Sequence, residues 1–157
     1  MLNLFKKKET FKTPIKGELI AITEVNDQVF SQKMMGDGFA IIPSENTVIS
    51  PLSGTVDVVF PTKHAIGIKS NTGIEFIIHI GIDTVKLNGE GFTSYVEQGQ
   101  KISQGEKLVT FDLDLIKSKG YDTSVIVIFP NNDVKLNLTP TNAVSYTHLT
   151  LPTKLEV

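Results

Sequence analysis

The chain has 157 residues, 40% apolar and 20% charged, which is enough for one domain with a real core, too short to expect two, and too apolar for wholesale disorder. Its formal net charge of -2, with no long run of one sign, gives no electrostatic reason to expect a nucleic-acid partner. The lack of cysteine excludes a disulfide framework, a thiol nucleophile and a thiolate metal site.

The opening stretch, MLNLFKKKET, puts a few apolar residues before Lys6, Lys7 and Lys8, whereas a signal peptide needs charge first and then a longer apolar run. No later segment approaches a membrane span, so the cytoplasm is the expected location. Residues 1–13 are read as a flexible segment ahead of the domain. From there the chain runs in short apolar segments broken by Gly, Pro, Asn, Asp and Ser, an all-β rhythm. Strands are expected at 18–22, 38–42, 47–49, 54–60, 65–69, 73–80, 107–112 and 124–129. One helix is expected at 113–119, capped by Asp112 or Asp114 and stopped by Gly120, with a weaker helical turn at 93–96.

TPIKGELIAI, from Thr13, and SPLSGTVDVV, from Ser50, share a small hydroxyl residue, Pro, an aliphatic residue and Gly before a strand. GDGFAIIPSEN and TKHAIGIKSNT follow as a second, looser pair. Two related β units closing on one another predict an antiparallel β-sandwich or barrel with one or two short helical turns, spanning 14–144. The last residues, SYTHLTLPTKLEV (145–157), lack the glycines of the earlier turns and resemble the translation of a cloning or sequencing adaptor. They are set aside as non-native, His148 included.

HAIGIKSNTGIEFIIHIGID, residues 64–83, carries the other two histidines across a turn. If Asn71 and Thr72 form a two-residue turn, paired positions sum to 143, and His64 faces His79 as Ile66 faces Ile77. If Gly73 joins them in a three-residue loop, the sum is 144 and the histidines fall on opposite faces unless a bulge compensates. Both registers are open. A strand histidine is usually half-buried and bonded to a backbone carbonyl. Two touching imidazoles repel when both are protonated, so a facing pair points to metal ligation, acid/base catalysis or phosphoryl transfer through phosphohistidine.

Asp83 stands four residues after His79, the HxxxD spacing of zinc peptidases resembling lysostaphin-type endopeptidases, but their HxH pair is absent. A zinc hydrolase using His64, His79 and Asp83 is one alternative. A biotinyl- or lipoyl-like carrier is another, although MMGDG (34–38) has the methionines without a lysine among them, Lys33 standing one place before.

TKHAIGIKSNTGIEFIIHIGIDTVKLNGEGF, residues 62–92, resembles the signature of the glucose-family enzyme IIA of the bacterial phosphoenolpyruvate-dependent sugar phosphotransferase system. Both histidines at this spacing combine with HIGIDTV and LNGEGF, and the likeness continues through PSENTVISPLSGTV, EQGQKISQGEKLVTFDL and VIVIFPN, about residues 14–131. The resemblance implies a sandwich of duplicated hybrid motifs acting as a phosphocarrier. By position, His79 matches the phosphorylated histidine and His64 the supporting one, which implies the facing register. Thr62 matches a threonine whose hydroxyl meets the supporting histidine, and Asp83 an acidic residue beside the site.

In that role a backbone carbonyl, that of Gly81, would hold His79 Nδ1–H and leave Nε2 as the nucleophile. His64, as a donor, would stabilise the equatorial oxygens of the transferring phosphoryl group. Val29, Phe30 and Phe60 match positions ringing the site; with Ile66 and Ile77 they are expected to be exposed in a docking patch. The implied partners are phospho-HPr and the cysteine of a sugar-specific IIB domain coupled to a membrane transporter, which would bring a cytoplasmic protein to the membrane. Some members also bind regulatory proteins, at times through zinc shared between the two histidines and a partner carboxylate; transfer itself requires no cofactor. The resemblance departs at both ends: Leu2, Leu4 and Phe5 are too few to establish the membrane-surface helix of some members, and the family's closing strand has no clear match after LTPTNAV.

Overall fold

The computed structural model describes residues 7–131 and 148–153. In chain order the elements are strands β1 Lys7–Lys12 and β2 Gly17–Ala21, a 3-10 turn Ile22–Glu24, helix α1 Gln28–Ser31, and strands β3 Asp37–Pro43, β4 Thr47–Ile49, β5 Gly54–Val59, β6 Ala65–Ser70 and β7 Glu75–Ile80. A second 3-10 turn, Thr84–Leu87, leads to β8 Phe92–Ser94, β9 Lys101–Ile102, β10 Lys107–Phe111, helix α2 Leu113–Ser118, β11 Val125–Phe129 and β12 His148–Thr153. No helix among the described residues is long and apolar enough to cross a membrane.

The strands form an antiparallel sheet in the order β2-β3-β11-β7-β6-β5-β9, a three-stranded sheet β4-β10-β8 and a two-stranded pair β1-β12. One core joins Ile66, Ile68, Phe76, Ile78, Ile80, Val125 and Val127 of the large sheet to Val48, Val109, Phe111 and Phe92 of the small one, so the arrangement is a sandwich and not a closed barrel. The repeat glycines, Gly17 and Gly54, open β2 and β5, the first strand of each related unit.

VIVIF, with no polar alternation, becomes β11, whose five residues are all buried. Val125, Val127 and Phe129 enter the main core, while Ile126 and Ile128 pack on the other face with Ile22, Val25, Phe30, Ala40 and Ile82. The excursion between β2 and β3 therefore lies over the centre of the large sheet. Its role is to bury apolar residues on that second face, each worth about 1.5–3 kcal/mol.

The hairpin settles on the longer turn. Ser70 and Ile74 close the loop through Ser70 N–H to the Ile74 carbonyl at 2.8 Å, Gly73 has φ 96°, and pairs such as Ala65 with His79 and Lys69 with Glu75 fix the sum at 144. The 143 register, expected from the facing histidines, is corrected on this point. Ile66 consequently pairs with Ile78 and points into the core at 1% exposure, not onto the histidine face. The helical turn expected at 93–96 is also corrected: Phe92–Ser94 pairs with β10. Around it, Asp112 caps α2 by accepting from Leu115 N–H at 3.0 Å, as expected.

Lys7–Lys12, inside the segment read as flexible, is a strand, and Phe11 is fully buried, its ring edge-on to Phe39, Phe76 and Phe129 at 5.4–5.8 Å. Its partner β12 comes from the stretch set aside as non-native; alternating Leu and Thr suit a strand whatever their origin. Leu2, Leu4, Phe5 and LTPTNAV lie outside the described residues. Phe11→Ala should cost about 3–5 kcal/mol in chemical denaturation; a loss below about 1 kcal/mol would show that β1 does not complete the core.

Candidate functional site

His79 stands on β7 among alternating residues: Phe76, Ile78 and Ile80 face the core, while Ile77 and His79 face the other side, both half-buried. It is paired across to Ile126 on β11 and Ala65 on β6. His64 lies one residue before β6, in the bend that follows the tight turn closed by Lys63 N–H to the Phe60 carbonyl at 2.7 Å, with Lys63 at φ 60°. Strict alternation is not imposed on a residue in a bend before the strand, although its carbonyl still accepts from Ile80 N–H at 2.7 Å. In the 144 register His64 is opposite Ile80, yet its ring turns to the His79 face, and the two rings lie 4.9 Å apart at 80°. The strand end does the work that a bulge was required to do.

Each imidazole is held by its Nδ1. His79 Nδ1 lies 2.7 Å from the Gly81 carbonyl oxygen, which only accepts, so Nδ1 carries the proton and Nε2 keeps its lone pair. His64 Nδ1 lies 2.5 Å from Thr62 Oγ1. When Thr62 donates, the His64 proton resides on Nε2, giving a donor beside an acceptor.

Burial, with His79 as a second cause, pushes the His64 pKa down to about 4. Burial also lowers that of His79, opposed by the Gly81 carbonyl and then by the carboxylates of Asp27 and Asp83. At neutral pH both rings are therefore uncharged, and their mutual repulsion does not arise. Asp83 itself is exposed in a left-handed conformation, φ 62°, after the Gly81–Ile82 bend.

Around the pair, Phe30 stands 5.1 Å from His79 and Phe60 5.5 Å from His64, ring to ring. Of the residues expected in an exposed patch, Val29 and Phe60 are exposed at 41% and 37%, and Ile77 is half-buried. Phe30, at 6%, is corrected alongside Ile66: it is the wall of the site and part of the second apolar cluster, because α1 turns it onto the sheet. Sequence reading missed Asp27, which caps α1 by accepting from Val29 N–H at 2.8 Å; an Asp just ahead of QVF was its signal.

Among the described residues no three His, Cys, Asp or Glu side chains converge to hold a metal ion, so the His64, His79 and Asp83 set of a zinc hydrolase is not assembled. Lys33 follows α1 and pairs with Asp37 at 3.5 Å; it is not at the tip of a strand hairpin, as a biotinyl or lipoyl lysine would be.

The lowered His64 pKa fixes a sign. Between the ordinary value of 6.5 and about 4, the unfolded chain binds a proton at His64 that the folded chain does not. Stability should therefore be complete above the upper value and fall as pH drops through that window, less steeply in His64→Gln. NMR titration should place the His64 midpoint near 4 and that of His79 below 6.5; a His64 midpoint at 6.5 or higher would contradict the buried, uncharged pair.

Over most of its length the chain is similar to known proteins. Residues 9–134 match the family described as phosphoenolpyruvate-dependent sugar phosphotransferase system, EIIA 1. The glucosamine-specific EIICBA component of Bacillus subtilis (strain 168) is 58% identical over 123 residues, which is 78% of this chain and 20% of that protein. The glucose-specific EIICBA component of Streptococcus pneumoniae serotype 4 is 52% identical over 117 residues, 74% of this chain and 16% of that protein. The chain thus spans about a fifth or less of the length of these relatives. The solved glucose permease IIA from Mycoplasma capricolum superposes with a TM-score of 0.83 at 39% identity, covering 92% of this chain and 96% of that one. With most of its length matched to the family and to relatives of this similarity, the chain belongs to the EIIA 1 family of the phosphoenolpyruvate-dependent sugar phosphotransferase system.

Proposed function

We propose that this chain is a phosphocarrier in which His79 Nε2 accepts a phosphoryl group from phospho-HPr and passes it to the cysteine of a sugar-specific IIB domain. The observation that carries this reading is the Nδ1 contact to the Gly81 carbonyl, which leaves Nε2 unprotonated on a ring that burial keeps neutral. In the first step the Nε2–P bond forms as the donor's N–P bond breaks, and the electron pair stays on the donor nitrogen. In the second, the thiolate of IIB forms an S–P bond as Nε2–P breaks, and the pair returns to His79.

His64, neutral and backed by Thr62, supplies an N–H toward the phosphoryl oxygens, where charge accumulates in transfer. A neutral donor suits reversible transfer, since it stabilises the passing group without fixing a permanent cation beside it. Val29 and Phe60 offer apolar contact at the rim, and Asp27 and Asp83 offer carboxylates to a cationic partner surface. Regulatory proteins would dock on the same face. Zinc on the pair would use the two Nε2 atoms, since both Nδ1 atoms are engaged, and would need its remaining ligands from another molecule.

Incubation with phosphoenolpyruvate, enzyme I and HPr should add one acid-labile phosphoryl group to the intact mass. His79→Gln should abolish this gain. His64→Gln, whose amide N–H cannot sit where the imidazole Nε2–H does, should still accept the group but pass it to IIB more slowly by about 100-fold, the scale of an ineffective transition-state donor. Labelling retained in His79→Gln would defeat the assignment.

A further inference from the structure

Two successive peptide units, Ile80–Gly81 and Gly81–Ile82, lead from the end of β7 into the Ile82 turn, and each is held at both ends. In the first, the Ile80 carbonyl accepts from Thr84 Oγ1 at 2.5 Å, while Gly81 N–H donates to the Ser124 carbonyl at 2.8 Å. In the second, the Gly81 carbonyl accepts from His79 Nδ1 at 2.7 Å, while Ile82 N–H donates to the Asp122 carbonyl at 3.0 Å. Asp122 and Ser124 are themselves tied, the Asp122 carboxylate accepting from Ser124 N–H at 2.8 Å and from its hydroxyl at 2.7 Å.

Of these four holds on the two units, two are backbone carbonyls and one is His79 itself. The fourth is the hydroxyl of Thr84, which is 0% exposed, so water cannot replace it when it is removed. The hinge between the units is Gly81, at φ 75°, where an added Cβ would stand 2.5 Å from the Thr84 methyl and 2.9 Å from the Asp122 carbonyl. Only glycine fits, and glycine has the least resistance to swinging its carbonyl once the preceding plane is released.

We propose that Thr84 is a positioning residue for His79: through the Ile80–Gly81 peptide plane its hydroxyl aims the Gly81 carbonyl at Nδ1 and so keeps Nε2 as the unprotonated nitrogen. Its kinetic consequence rests on the phosphocarrier reading; its effect on the imidazole tautomer does not. Thr84 lies five residues beyond His79 and touches no transferred group, so its influence runs through the backbone it holds.

The test compares Thr84→Val, which keeps shape and loses the hydroxyl, with Thr84→Ser, which keeps the hydroxyl and loses the methyl. The readouts are the 15N shifts of the His79 ring in the full chain and the rate of phosphoryl acceptance from phospho-HPr. Thr84→Val should show a mixture of Nδ1–H and Nε2–H tautomers and accept about tenfold more slowly, the scale of a modest misalignment. Thr84→Ser should restore both. A folded Thr84→Val with the wild-type tautomer, or a Thr84→Ser as impaired as Thr84→Val, overturns the proposal. Should Thr84→Val fail to fold, Thr84→Ala and Thr84→Ser are compared by the same shifts: a tautomer lost only in Ala supports the role, and equal tautomers overturn it. A wild-type chain that takes up no phosphoryl group would sink the carrier reading, while the tautomer shifts would still decide the part played by Thr84.

Discussion

The contact between His79 Nδ1 and the Gly81 carbonyl, at 2.7 Å, is the constraint on which the rest of the site depends. A free imidazole exchanges its proton between two nitrogens; a carbonyl acceptor at one of them removes that choice. The acceptor is only as good as its aim, and the aim is built from the β7–β11 pairing, the Gly81 turn and the buried start of the 3-10 turn at Thr84. A large sheet with strands hydrogen-bonded on both sides of β7 is a stiff base for such a turn. The second apolar layer, which includes Ile82, reaches the site through Phe30, whose ring lies 5.1 Å from that of His79.

Burial and reactivity are linked here by charge. Desolvation disfavours the imidazolium on both rings, which places a nucleophile and a donor side by side without the repulsion two cations would suffer. The Gly81 carbonyl, and after it the carboxylates of Asp27 and Asp83, oppose this depression of His79. In the proposed carrier role the balance matters in both directions: too basic a ring would be protonated and inert at neutral pH, and too weakly basic a ring would be a poor nucleophile.

Much of this was legible in the residues. Pro and Gly before short apolar runs marked most strand starts, and VIVIF, expected as a strand, is one that is buried on both faces. The Nδ1 acceptor was also within reach, because a glycine two residues past a strand histidine puts a carbonyl under the ring. The register was not. It turned on whether Gly73 sat inside the loop, a difference of one residue that periodicity does not resolve, and the histidines then met for a reason alternation does not contain: His64 sits in the bend before β6. Ile66 and Phe30 depart from expectation for the same kind of reason, one through the register and the other through a four-residue helix too short to stand without tertiary contact, its Phe30 packed in one cluster with Ile126 and Ile128. Thr84 gave no local signal, since a threonine after IGID reads as turn chemistry until its hydroxyl is seen on the Ile80 carbonyl.

One nitrogen of one ring is made available. Long-range 1H–15N correlation with 31P coupling, on the chain phosphorylated through HPr, reads out which nitrogen it is. Phosphorus should couple to Nε2 of His79, with Nδ1 still protonated against the Gly81 carbonyl. Phosphorus on Nδ1 of His79, or on either nitrogen of His64, would contradict this.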